Sequence, residues 1–209
     1  MIEPRRVAIL TVAGVLGLCG STSAQSALWT RLSESTPPCR PGAMAVDAAK
    51  NIYVAGYTVG RSKGGSLHAE GMCVMKYDAS GQPLWTRIYG APKAAFPYGM
   101  AVDPSNGVYV AGSFYGSFLG QKSAGGSDVF LLKLDGDGEK VWMRSSGSRG
   151  EETAAAGLAM GKSGSLYVAG YSTRATRGER SQRDFDMFLL KYSPAGDRLW
   201  SRTHNAAME

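Results

Sequence analysis

The sequence predicts an all-β protein assembled from three repeated, four-stranded antiparallel units. Three observations carry that prediction. Tryptophans stand at Trp29, Trp85, Trp142 and Trp200, at steps of 56, 57 and 58 residues. A Val-Ala-Gly triplet begins at Val54, Val110 and Val168. Val, Ile, Tyr, Phe and Trp gather in short runs between turns rich in Asp, Asn, Pro and Gly, as β-pairing and tight reversal each require. A fixed period of this length marks a repeat architecture, in which each unit buries its apolar faces against its neighbours.

Taken in order, residues 1–24 read as a secretory signal peptide. Arg5 and Arg6 form a basic start, Val7 to Gly20 is apolar, and Thr22-Ser23-Ala24 supplies the small residues for cleavage after Ala24. The apolar run is too short to cross a bilayer comfortably. The expected location is therefore secreted, periplasmic or on the extracellular surface, with no membrane span once the leader is removed. The exported chain keeps Cys39 and Cys73. Cys73 stands where the other copies have Phe130 and Phe188, so it reads as a small core hydrophobe. A disulfide is the alternative that an oxidising compartment allows.

Residues 25–209 form the repeat domain. Residues 27–32, with Trp29 and Arg31, read as a leading outer strand whose earlier partners are missing. Three complete units follow, at about 40–88, 97–145 and 155–203. Their first strands are Met44-Ala45-Val46, Met100-Ala101-Val102 and Leu158-Ala159-Met160. The second strands end in the Val-Ala-Gly triplets. The third run from Met72 to Tyr77, Val129 to Leu134 and Met187 to Tyr192. The fourth carry Trp85, Trp142 and Trp200. Second and third strands are apolar at nearly every residue, which predicts sheets covered on both faces. First-to-second and third-to-fourth connections are tight. The other two are expected to be long loops, all on one end of the units.

Four antiparallel strands per unit, repeated, with tryptophan on the last strand, describe the blades of a β-propeller. The strings Met-Ala-Val-Asp-Pro-Ser-Asn-Gly-Val-Tyr-Val-Ala-Gly, from Met100, and Asp-Val-Phe-Leu-Leu-Lys-Leu-Asp-Gly-Asp-Gly, from Asp128, resemble the bacterial SBBP-type β-propeller repeat. That resemblance implies a recurrent module of exported and surface proteins, with no shared catalytic residues. A closed propeller usually has at least four blades. Three blades plus one leading strand predict an incomplete propeller with two open ends.

Motifs that look like chemistry dissolve when the copies are compared. Gly157 to Ser163 has three residues between its glycines where a phosphate-binding loop needs four. Asp135-Gly136-Asp137-Gly138 begins like a calcium loop, but its sister turns are Asp78-Ala79-Ser80-Gly81 and Ser193-Pro194-Ala195-Gly196. The Trp–Arg pairs, two apart on a strand, share one face and read as a stacking tryptophan with arginine packed along it. Lys76, Lys133 and Lys191 recur on the third strand and read as structural. There are two histidines, His68 and His204, no nucleophile elbow and no His/Cys cluster. The reading is therefore no enzyme, no metal and no cofactor. The formal net charge of +6 is mild and spread over the chain, so no nucleic-acid partner is expected.

What remains for function lies in segments that do not repeat. One is aromatic, with Phe114, Tyr115 and Phe118; another is basic, with Arg174, Arg177 and Arg180. Both are expected on loops held by a rigid scaffold, as places for a protein or glycan partner. The expected function is a non-catalytic module for binding or structural interaction at the cell surface or in the periplasm. Its alternatives are a scaffold part of a larger secreted enzyme or adhesin, or a carbohydrate-binding module. Self-association is expected to cover the open blade edges.

Overall fold

The computed structural model describes residues 38–61, 67–91, 93–174 and 184–205. Blade 1 contains β1 (Cys39–Val46), β2 (Ile52–Arg61), β3 (Leu67–Tyr77) and β4 (Pro83–Gly90), hydrogen-bonded in that order. Blade 2 contains β5 (Ala94–Val102), β6 (Val108–Tyr115), β9 (Asp128–Leu134) and β10 (Lys140–Ser146). A two-stranded hairpin, β7 (Ser117–Phe118) and β8 (Gln121–Lys122), interrupts it between β6 and β9. Blade 3 contains β11 (Glu151–Met160), β12 (Leu166–Arg174), β13 (Asp184–Tyr192) and β14 (Arg198–Asn205). All pairings within the blades are antiparallel. The fold is thus all-β, with propeller-type blades that stack side by side and do not close into a ring. The leader and the leading strand 27–32 lie outside the described residues.

The tight turns form as their residues dictate. In each, an amide bonds back three residues, as from Asn106 to Asp103 and from Gly138 to Asp135. The residue that donates this amide must itself adopt positive φ, and Lys50, Gly81, Asn106, Gly138, Gly164 and Gly196 do so. This is a type I turn closed by a left-handed residue. Asp103 and Asp135 spend their carboxylates on amides of their own turns. The calcium-like string is therefore a self-capped hairpin.

The connections expected as long loops are shorter than the sequence suggests. Strand β4 ends at Gly90 and β5 begins at Ala94; β10 ends at Ser146 and β11 begins at Glu151. The reason is a bulge in each innermost strand, where Gly42, Tyr98 and Ala156 are each the extra residue in the ladder. A bulge takes up one residue and lets pairing resume beyond it. The Pro and Gly beside Tyr98 break the sequence pattern without ending the strand.

Two cores lie between the blades. Tyr53, Ala55, Met72 and Val74 of blade 1 meet Val108, Val110, Phe130 and Leu132 of blade 2. Tyr109, Ala111, Val129 and Leu131, on the other face of blade 2, meet Leu166, Val168 and Leu190 of blade 3. Alternate residues of one strand thus serve different cores, which explains the continuous apolar runs. The face of blade 3 equivalent to these donor faces is open, with Tyr171, Phe185, Met187 and Leu189 exposed.

Cys39 and Cys73 form a disulfide, with Cα atoms 6.6 Å apart. It joins β1 to β3 across the intervening β2, over Gly56, where an added Cβ would sit 3.2 Å from the Cys73 sulfur. In blades 2 and 3 the rings of Phe130 and Phe188 cover the equivalent Gly112 and Gly170. The core reading of Cys73 is thereby refined: a bridge fills the place that an aromatic ring fills elsewhere.

Candidate functional site

The repeated side chains are used up in holding one blade to the next. Trp85 donates its indole N–H to the Gly136 carbonyl at 3.1 Å and stacks over Gly138. Arg87 lies 5.7 Å from the Trp85 ring and pairs with Glu139 at 3.2 Å. Trp142 stacks over Gly196, and Arg144 donates to the Gly196 carbonyl at 3.0 Å. β4 and β10 therefore each grip the turn of the following blade, and the gripped glycine, Gly138 or Gly196, is needed both for its positive φ and for the missing Cβ. Lys76, Lys133 and Lys191 lie 5.0, 5.0 and 5.3 Å from the ring centroids of Tyr53, Tyr109 and Tyr167. Asp47 and Asp103 accept the hydroxyls of Tyr53 and Tyr109. Gly161 replaces that aspartate in blade 3.

The aromatic segment expected as a binding loop is mostly core. Phe114 is a strand residue at 0% exposure, and Phe118 is at 1%. Their rings pack against each other and on to Phe130, with centroids 6.2 and 5.2 Å apart. The physical cause is the β7–β8 hairpin. Gly116, Leu119 and Gly120 take positive φ, turning the segment back so that Phe118 plugs the first core. Neither ring has surface to offer a ligand. Arg174 ends β12, while Arg177 and Arg180 lie outside the described residues, as does the rest of the expected basic loop.

Tyr115 is the member of that segment that reaches the surface, at 38% exposure, and it is not alone. Phe96 stands edge-on to both Tyr57 and Tyr115, at 5.0 and 6.3 Å. Tyr98 is 45% exposed and Tyr171 41%. Burial pushes the Tyr98 hydroxyl above its ordinary range, and the phenols of Tyr115, Tyr171 and Tyr57 add to the rise. Four phenols thus converge from three blades: Tyr57 from blade 1, Tyr98 and Tyr115 from blade 2, Tyr171 from blade 3. The bulge aims Tyr98 there, since an unpaired ladder residue can be re-aimed; Gly42 and Ala156 stand at the equivalent bulges. At the place equivalent to Tyr57 and Tyr171, blade 2 has Ser113, buried and accepting the Ala155 amide at 3.1 Å. That exchange locks blade 2 to blade 3 beneath the rim.

Sequence reasoning identified Tyr115 and missed its partners. The available signal was a tyrosine following Val-Ala-Gly in the outer two copies, and a tyrosine at the bulge of the middle one. Among the described residues, no group of three or more His, Cys, Asp and Glu is placed to hold a metal ion. The arrangement presents flat rings with hydroxyl edges, which make contact and accept or donate hydrogen bonds at low cost in side-chain entropy.

Residues 84–116 match the family model of the SBBP beta-propeller repeat. They run from the gripping strand of blade 1 through the first two strands of blade 2. A regulatory protein of Caulobacter vibrioides, FlaEY, is 34% identical over 137 residues, which is 60% of this chain and 14% of that protein. The chain therefore spans a small part of that relative's length. Two mutants of the apocarotenoid oxygenase of Synechocystis superpose with TM-scores of 0.44 and 0.45, at 12% and 14% identity. Each superposition covers 83% of this chain and 40% of the oxygenase.

Proposed function

We infer that this chain, built on the SBBP β-propeller repeat, is an exported, non-catalytic interaction module whose tyrosine rim receives a protein or glycan partner. The observation that carries the reading is the convergence of Tyr57, Tyr98, Tyr115 and Tyr171 from three blades onto one place. Half-exposed tyrosines clustered on a rigid sheet scaffold are the composition of recognition surfaces. The non-catalytic part is supported by the employment of the repeated Trp, Arg, Lys and Asp side chains in blade joints and turns. Export is supported by the leader-like residues 1–24 and by the disulfide, which suits an oxidising compartment. Among the described residues no helix is long and apolar enough to cross a membrane.

Two measurements test it. The full chain, expressed in a bacterial host, is expected outside the cytoplasm with its N-terminus beginning after Ala24; a cytoplasmic chain with an intact leader overturns the export reading. The recovered protein is then bound to isolated cell envelopes. The double substitution Tyr98→Ala, Tyr115→Ala is expected to weaken adsorption about tenfold with the melting temperature kept. Unchanged adsorption removes the rim from the interface.

Self-association is a second reading, favoured by the exposed Tyr171, Phe185, Met187 and Leu189 of blade 3. Trp200 and Arg202 lie on the same face, in the gripping geometry, at 5.8 Å. Another blade is the cover that this chemistry fits. A chain that sediments as a monomer, with no change on Met187→Lys, sinks the idea.

A further inference from the structure

The gripping tryptophan belongs to a set that recurs in all three blades. A row across each sheet runs from a tyrosine of the second strand through a lysine of the third to the tryptophan of the fourth. The rows are Tyr53, Lys76, Trp85, then Tyr109, Lys133, Trp142, then Tyr167, Lys191, Trp200. Tyrosine and tryptophan ring centroids are 6.1, 6.0 and 6.2 Å apart. The arginine two residues on donates to the carbonyl before it in every copy. It lies 5.7, 5.3 and 5.8 Å from the tryptophan ring. Blade 3 therefore holds the gripping set already in shape, with no turn in its grip among the described residues.

What differs in blade 3 is the carboxylates. In blades 1 and 2 the tyrosine hydroxyl donates to Asp47 at 3.2 Å and to Asp103 at 3.1 Å. Lys133 stands 3.9 Å from the same Asp103 oxygen. Blade 3 has Gly161 at that place, where an added Cβ would lie 3.2 Å from the Tyr167 ring and 3.9 Å from its hydroxyl. Tyr167 and Lys191 thus share no carboxylate among the described residues. Arg87 has Glu139 of the next blade at 3.2 Å, whereas Arg202 has no ion pair among the described residues. The described carboxylates of blade 3 are directed elsewhere. Asp197 accepts the Ser193 hydroxyl and lines the opposite face, toward blade 2. Asp186 pairs in register with Ser172 on that opposite face, and Glu151 lines it too. Glu152 lies against Gly126 of blade 2. The outer face thus combines two cations lacking carboxylates with the exposed Tyr171, Phe185, Met187 and Leu189.

We propose that the outer face of blade 3 binds an acidic β-hairpin of another polypeptide, with one carboxylate on Arg202 and a second between the Tyr167 hydroxyl and Lys191. The first joint is the template for the occupant. There the turn Asp135-Gly136-Asp137-Gly138-Glu139 lays Gly138 over Trp85 and sets its glutamate against Arg87. Glycine is needed where the tryptophan presses, because a Cβ there would lie 3.1 Å from the ring. Acid is needed because charge-assisted bonds to guanidinium and ammonium are the strong ones. His204 stands where Tyr89 and Ser146 stand in the other blades. Its ring N–H can meet a turn carbonyl, as the Tyr89 hydroxyl meets that of Gly138. A receptor already in shape loses little freedom on binding. A second copy of this chain does not offer such a turn among its described residues. Its Gly138 and Gly196 turns are held by Trp85 and Trp142, and its Gly81 turn has Gln82 where Glu139 stands. The proposal rests, with the self-association reading, on this face being covered, and differs from it in the occupant. It does not rest on the tyrosine rim.

The test is calorimetric titration of the full chain with a cyclic peptide that carries Leu-Asp-Gly-Asp-Gly-Glu-Lys-Val, the sequence of residues 134–141, closed by D-proline and glycine. One comparator is the same ring with Asn, Asn and Gln in place of its acids. The other is a linear scramble of the acidic peptide, which controls for the net positive charge of the chain. The acidic ring is expected to bind, with both comparators at least about tenfold weaker. Arg202→Gln, at an exposed position, is expected to lose about tenfold in affinity. Gly161→Asp restores from within the carboxylate of the other two blades; it is expected to compete for Lys191 and weaken the ring by a similar factor, with the melting temperature kept. Tyr98→Ala is expected to change nothing, and an equal loss there would move the peptide to the rim and overturn the site. Equal binding of the amide ring overturns the role of the carboxylates, and equal binding of the scramble overturns the hairpin. Wild-type affinity in Arg202→Gln, or no heat with the acidic ring at millimolar concentration, overturns the site itself. Wild-type affinity in a folded Gly161→Asp overturns the carboxylate placed at Lys191. Sedimentation separates the two occupants: a monomer that binds the ring refutes self-association alone, and a dimer that gives no heat refutes the acidic hairpin alone. Should Gly161→Asp unfold, Arg202→Gln carries the decision.

Discussion

Replacing Tyr89 by serine turns the first blade joint into a copy of the second at its outer edge. Tyr89 is 9% exposed and donates its hydroxyl to the Gly138 carbonyl of the next blade. An aromatic side chain of this kind buries about 150–250 Å², and at about 25 cal/mol per Å² this is worth about 4–6 kcal/mol. The lost hydrogen bond adds about 1 kcal/mol. Both figures are reduced because a compact unfolded chain already hides part of the surface. The expected cost of Tyr89→Ser is thus about 3–5 kcal/mol, as for other large-to-small changes in cores. Urea unfolding followed by tryptophan fluorescence reads it, since the Trp85 indole packs on the same turn. Tyr89→Phe divides the effect: it keeps the ring and loses the bond, at about 1 kcal/mol. A Tyr89→Ser protein within about 1 kcal/mol of the wild type would refute the reasoning, because that is the size of an ordinary surface change. Equal losses in the two variants would show that the hydrogen bond, and not the packing, holds the joint.

Three further outcomes follow from the same geometry. Removing the Cys39–Cys73 bridge, which spans 34 residues, should cost about 3–4 kcal/mol by the chain-entropy estimate; melting the wild type and the Cys39→Ala, Cys73→Ala variant side by side checks this, and coincident curves contradict it. Gly112→Ala should cost about 1–3 kcal/mol, because its Cβ would meet the Phe96 carbonyl and lie 2.6 Å from the Phe130 ring; Gly90→Ala, with nothing near its Cβ, is the control and should be nearly silent in the same denaturation assay. Burial pushes the Asp47 carboxyl up, but hydrogen bonds from Asn51 and Tyr53 and the charge of Lys76 outweigh it and hold the group below its ordinary value. A depressed carboxyl stabilises the fold above its unfolded value, and that contribution is lost as pH falls through the folded one, below about pH 4. Asp47→Asn should therefore lose less stability than the wild type between neutral and acid pH, and parallel losses in the two melting series would exclude the effect.

Much of this protein is written in its local pattern. The period of the tryptophans, the apolar strands and the Asp-Gly turns each depend on residues close in the chain, so they are legible without a structure. Comparison of copies also assigns the Trp–Arg pairs correctly, because a side chain present in every blade has a role in every blade. The sites differ in this respect. Phe114 and Phe118 look like surface aromatics until the hairpin after Gly116 folds Phe118 back into the core. The four tyrosines of the rim are far apart in sequence and meet only because three blades stack and a bulge re-aims Tyr98. The disulfide was one of two readings for Cys73, decided by the curl that brings β1 over Gly56. The exchange of Tyr89, Phe114 and Met143 for Ser146, Ser172 and Ser201 is visible in the sequence, but its meaning is not. Which strand faces which neighbour is set by blade packing, so which of these positions lie at a blade joint is decided only there.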